Sequence, residues 1–137
     1  MKLHQFHARR LESTLGLADG AITRMENLLA REEKGGAVRT VNDTLAPETR
    51  SALLQKLQSL RNVMLEMASA LSLAQSVLDI RQVLAAELST LWVNFEDCRP
   101  AKMKGYGQPF EPKARTTIEQ HVERILNTIH ELRAIVQ

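Results

Sequence analysis

The sequence predicts an all-α protein built as an antiparallel, up-down-up-down four-helix bundle, and three observations point there. Apolar residues recur in steps of three and four over long stretches, as one face of a helix requires. The apolar fraction, 44% of 137 residues, holds only five aromatics (Phe6, Trp92, Phe95, Tyr106, Phe110), the remainder being chiefly Leu, Ala, Val, Ile and Met. Six glycines and four prolines punctuate the chain at few places, and no segment alternates with the period of a strand. The length suits one domain over residues 1–137.

The first helix, about 3–34, carries the row His4, His7, Leu11, Leu15, Ala18, Ile22, Met25, Leu29. Its expected end is Lys34-Gly35-Gly36, where a glycine can supply the left-handed residue that closes a helix. Residues 35–46 then read as a loop. Pro47 fits the first position of a second helix, about 47–71, since its missing N–H would have no helical partner there anyway. That helix repeats Leu53, Leu57, Leu60, Met64, Met67, Leu71, the seam of a shallow helix crossing.

A third helix, about 73–99, carries Val77, Ile80, Leu84, Leu88, Leu91, Phe95 and Cys98. Residues 48–99 contain neither Gly nor Pro, so one helix over 47–99 is the alternative. The expected break is the serine-rich stretch 68–76, where Ser72 with Gln75, or Ser76 with Asp79, has capping-box spacing. Residues 99–112 hold three prolines and two glycines and read as a loop. The fourth helix, about 112–136, begins at Pro112 or at the Thr116-Thr117-Ile118-Glu119 box, with the row Ile118, Val122, Ile125, Ile129, Leu132, Val136.

Composition narrows the function classes. With 18 basic against 16 acidic side chains, interspersed, no single-sign field is available to hold a polyanion, so nucleic acid is not favoured as a partner. The stretch 63–78 is the longest nearly free of charge, yet Glu66 and several serines interrupt it, short of the ~20 apolar residues of a membrane span. The N-terminal residues lack the apolar core of a signal peptide. Cys98 is the sole cysteine and has no partner for an internal disulfide; a reducing, cytoplasmic setting and a buried structural thiol are expected. No cofactor is expected.

Two constellations are candidate sites. His4 and His7 are three apart on one helix face, and an antiparallel bundle would carry His130 and Asp79 to the same pole, a donor set suited to zinc or non-haem iron. The Glu-x-x-His pairs of a di-iron bundle are absent, Ile118 and Asn127 standing at the required positions. The second is the region 92–110, where Trp92, Phe95, Tyr106 and Phe110 gather with Arg99, Lys102 and Lys104. Glycines flank Tyr106, and this loop reads as a partner-binding surface (Trp92, Arg99, Lys102, Lys104, Tyr106, Phe110) or as the plug of the bundle end.

His130-Glu131-Leu132-Arg133 resembles the phospho-accepting box of sensor histidine kinases over four residues, with Ala134-Ile135 in place of the usual proline. Arg124 and His130, like Arg115 and His121, have the Arg-x5-His spacing of helical nuclease-like toxin domains, and a pattern met twice in one helix discriminates little. The expected function is therefore a non-catalytic cytoplasmic helical protein acting through protein contacts, as a homodimer or with a helical partner. The alternative is a metal-dependent or nuclease-type enzyme using His4, His7 and His130. Apolar residues in excess of one core carry the first reading.

Overall fold

The computed structural model describes residues 2–31, 35–103, 105 and 107–137. Among the described residues four α-helices run in order: α1 Gln5–Leu29, α2 Pro47–Ala70, α3 Ile80–Glu96 and α4 Pro112–Val136, with one short 3-10 turn at Pro100–Lys102. The all-α class and the four-helix order hold, and neighbouring helices pack as pairs, α1 with α2 and α3 with α4. The chain divides into two compact units, Met1–Ser76 and Val77–Gln137, each centred on one pair.

In the first unit the helices are antiparallel, because contacts climb one helix as they descend the other. Arg50, near the start of α2, donates to the Leu29 carbonyl at 2.5 Å; Arg61 reaches Glu26, Thr23 and Asp19; the Ala74 N–H donates to Glu12 at 2.9 Å. Ile22 and Leu29 are buried. Removing such side chains from water stabilises by about 1.5–3 kcal/mol each.

The predicted rows hold at most positions, with Leu11, Leu15, Ala18, Ile22 and Leu29 on α1 and Leu57, Met64 and Met67 on α2 buried or half-buried, and depart from the prediction at a few. On α2 the half-buried positions include Leu54, Leu57, Arg61 and Met64, whereas Leu53 and Leu60 face solvent. The reason is electrostatic: Asp19 and Glu26 on α1 offer carboxylates at that level, and Arg61 turns in to meet them at 3.1 and 2.7 Å. Met25 is likewise exposed while Glu26 is half-buried.

α1 ends earlier than expected, at Leu29, with Ala30 as its cap. The left-handed closing residue is Arg31, φ 60°, and not a glycine. Its N–H donates to Leu28 O at 3.1 Å and its guanidinium reaches Asp43, which Arg50 also holds. Long-range ion pairing thus places the stop before Gly35 is reached. Residues 32–34 of the predicted helix lie outside the described residues.

The single helix over 47–99 is not formed: residues 71–79 are non-helical. The break lies in the serine-rich stretch, but neither proposed capping box makes it. Ser72 adopts φ 53°, its N–H donates to Ser69 O at 3.2 Å, and Leu73 N–H donates to Ala68 O at 2.9 Å. This pair of bonds is a Schellman closure, with Ser72 in the place glycine usually takes. The chain then runs back along α1, and Ser76 comes so close to Gly16 that a Cβ there would stand 3.0 Å from the Ser76 hydroxyl oxygen. α3 starts when Asp79 accepts from the Arg81 N–H at 2.9 Å.

The second unit is also antiparallel. Arg81 at the start of α3 donates to the Val136 carbonyl at 3.0 Å, while Arg99, just past its end, meets Glu123 at 3.0 Å. Val122, Leu126 and Ile129 form its buried centre. Leu126, 1% exposed, lies outside the predicted row. On α3 the inward row is Leu88, Trp92 and Phe95, continued by Arg99, whereas Leu84, Leu91 and Cys98 are exposed. The buried-thiol expectation for Cys98 is therefore corrected: Arg99 turns inward to carboxylates on α4, which rolls Cys98 out. α4 begins at Pro112, and the Thr116 box does not cap it, since the Thr116 and Thr117 hydroxyls donate back to the Pro112 and Lys113 carbonyls.

Candidate functional site

Among the described partner-binding candidates Arg99 is the best connected, and its contacts are internal. Its guanidinium meets Glu96 at 2.9 Å, Glu123 at 3.0 Å and Glu119 at 3.7 Å. The Arg99 hydrogen bond holds the Glu96 carboxyl below the ordinary carboxylate range, although desolvation opposes it. One cation against three carboxylates fastens the end of α3 to the first half of α4. Trp92 is half-buried on the same inward side. Lys102 stays exposed, its ammonium 3.9 Å from Asp97. Phe110, 40% exposed, borders a hollow of about 440 Å³ with Met103 and Arg115. Lys104 and Tyr106 lie outside the described residues.

Two of the four metal candidates, His4 and Asp79, cap helices. His4 caps α1, its Nδ1 accepting from the Phe6 N–H at 3.2 Å, and its ring sits 4.9 Å from that of Phe6 and 6.0 Å from that of His7. Asp79 caps α3, and His130 is an exposed residue of α4. His4 and His7 belong to the first unit, Asp79 and His130 to the second. Among the described residues, no group of three or more His, Cys, Asp or Glu is placed to hold a metal ion.

The feature that the sequence did not single out is a groove of about 450 Å³ between α3 and α4. Leu91, Phe95, Ile125 and Ile129 make an apolar floor, with His121 and Arg124 at its edge. The His121 Nδ1 lies 2.8 Å from the Thr117 carbonyl, which fixes the ring against its own helix. Leu91 and Arg124 were each visible in the sequence, but only the rotation of α3 brings them to one groove. Among the described residues, no helix is long and apolar enough to cross a membrane. No protein-family model, no curated protein and no solved structure matches the chain.

Proposed function

We propose that the protein is a non-catalytic, cytoplasmic helical module that acts through protein–protein contacts, as a homodimer. The observation carrying this reading is that apolar side chains line up on the outward sides of both helix pairs. Leu60 and Val63 stand one turn apart on α2, Leu84 and Leu91 two turns apart on α3, and Leu132 and Ile135 one turn apart on α4, all more than 40% exposed. Single exposed leucines are ordinary, but rows of them at helical spacing mark surfaces that associate. Neither α2 nor α3 contains a fully buried residue.

The polar groups support a structural part rather than a chemical one. Arg50, Arg61 and Arg99 are each engaged by carboxylates within their own compact unit, and His4 and Asp79 cap the starts of α1 and α3. The exposed, single Cys98 suits a reducing compartment, where it stays a thiol. Native mass spectrometry at micromolar concentration tests the proposal: twice the chain mass without a metal adduct is expected. A monomer carrying stoichiometric zinc or iron that is lost in His7→Ala would overturn it.

A further inference from the structure

We propose that the outward face of α1 is a docking surface for an anionic lipid bilayer, met side-on, with Phe6, Leu17 and Leu28 entering the headgroup layer and Arg10 and Arg24 against acidic headgroups. This goes beyond the protein contacts above and does not depend on whether the chain dimerises.

Charges that are interspersed along the sequence are sorted by the fold. The acidic residues of α1, Glu12, Asp19 and Glu26, recur at every seventh position on one side of the helix, and their partners fix where that side points. Asp19 and Glu26 meet Arg61 of α2 at 3.1 and 2.7 Å, and Glu12 accepts from the Ala74 N–H at 2.9 Å. Arg10 and Arg24 lie roughly 120–180° around α1 from that acidic row, with Arg9 beside them. Among the described residues none of these three arginines has an ion-pair partner. The other described carboxylates of the unit do not neutralise them. Asp43 is held by Arg31 and Arg50, and the exposed Glu48 and Glu66 stand on the side of α2 opposite Leu57 and Met64.

Apolar side chains share the basic side. Phe6, Leu17 and Leu28 follow one another at intervals of eleven residues, close to three whole turns, so they stand on one line about 33 Å long. They are 63%, 75% and 43% exposed, on the side away from Leu15 and Ile22. Arg10 comes one turn after Phe6 and Arg24 one turn before Leu28, so cations and apolar side chains alternate along the line. Beside Leu28, a hollow of about 340 Å³ between α1 and residues 35–41 brings Arg39 and Val41 to the same end. This pattern suits a bilayer better than a protein partner. A helix laid in a groove offers an anchor at nearly every turn, whereas these anchors are three turns apart with arginines between them. A lipid surface presents acidic groups and acyl chains everywhere and accepts anchors at any spacing, while the arginine stems keep their guanidiniums at the headgroup level. Each such cation strengthens binding to an anionic leaflet by about fivefold.

Vesicle co-sedimentation of the full chain tests the assignment. Phosphatidylcholine vesicles with about 30% phosphatidylserine should bind the chain at least about tenfold more tightly than pure phosphatidylcholine vesicles, and less so as salt rises. Arg10→Glu combined with Arg24→Glu should lower the partition coefficient at least about twentyfold, whereas Arg10→Lys combined with Arg24→Lys should stay within about threefold. Lys56→Glu, the same kind of charge reversal on α2, should also stay within about threefold. Leu17→Ser should weaken binding at least about threefold by removing the central anchor. All these side chains are exposed, and an unchanged circular dichroism spectrum of each variant separates lost binding from lost fold. Equal binding to the two kinds of vesicle, a loss in Lys56→Glu as large as in the paired arginine variant, or no effect of Leu17→Ser would overturn the proposal. So would a short DNA duplex that binds more tightly than the acidic vesicles at the same salt, since the face would then be one for nucleic acid.

Discussion

Replacing Ser72 by glycine should stabilise the protein, and the sign of that effect tells a broken helix from a continuous one. Ser72 sits at φ 53° with a side chain, in the conformation that closes α2 through the Ser72–Ser69 and Leu73–Ala68 bonds. Holding a residue with a Cβ in the left-handed region costs about 1–2 kcal/mol. Glycine avoids most of that cost, but it returns about 0.4–1 kcal/mol through the greater freedom of its unfolded chain. The net expectation is a gain of about 0.5–1 kcal/mol. With a urea slope of ~1.5 kcal/mol/M, the midpoint should rise by about 0.3–0.7 M. Were residues 47–99 one helix, glycine in its interior would instead cost about 0.5 kcal/mol relative to serine, and alanine would gain a similar amount. Ser72→Ala is therefore the paired control, with little change or a small loss expected. Urea unfolding followed by circular dichroism gives both signs. A destabilised Ser72→Gly together with a stabilised Ser72→Ala would refute the break and its mechanism.

Other substitutions probe the pairs themselves. Leu126→Ala removes a side chain only 1% exposed and should cost about 2–5 kcal/mol in chemical unfolding, whereas Leu17→Ala, at 75% exposure, should stay within about 0.5 kcal/mol; equal costs would mean that the centre of the second unit is misplaced. Cys98 is exposed, so the native chain should react with an aromatic disulfide reagent to one thiol per chain without denaturant, and a reaction that waits for denaturant would return the thiol to the interior. Glu26 and Asp43 are held below their ordinary range, first by hydrogen bonds from Arg61 and Arg50 respectively, and Asp43 also by the Leu45 N–H. A carboxylate depressed in the folded state contributes stability above its unfolded pKa and loses it as pH falls through the folded one. The urea midpoint should therefore decline as pH drops below about 4, and less steeply in Glu26→Gln. The same slope in Glu26→Gln as in the original would show that the Arg61–Glu26 pair contributes nothing in solution.

Elements were legible in the sequence where the cause is local. Pro47 and Pro112 open their helices as expected, because a proline at the first helical position depends only on its own ring and missing N–H. The break inside 68–76 was located by its serines, yet its mechanism was not, since a serine in the left-handed region has no sequence signature. Where tertiary partners decide, the reading fails. Periodicity favours Leu60 over Arg61 for an inward position, and only the presence of Asp19 and Glu26 across the pair, about 40 residues away in sequence, reverses the choice. The same holds for the end of α1, which Asp43 and Arg50 bring forward to Leu29.

The candidate sites divide along the same line. Arg99 stood out as a basic loop residue, but three carboxylates on its own helix pair engage it. His4, half of a histidine pair in the sequence, caps the first turn of α1. The α3/α4 groove depends on how far α3 is rolled, a quantity that one turn of periodicity does not fix. Its apolar residues, Leu91, Phe95, Ile125 and Ile129, were present in the predicted rows, assigned to the interior.

Sedimentation equilibrium of the full chain from about 1 to 100 μM tests the central claim, that the outward apolar rows are covered by a second copy. A reversible monomer–dimer equilibrium with the dimer predominant at the upper end is the predicted result. A single species of one chain mass across the whole range would contradict it.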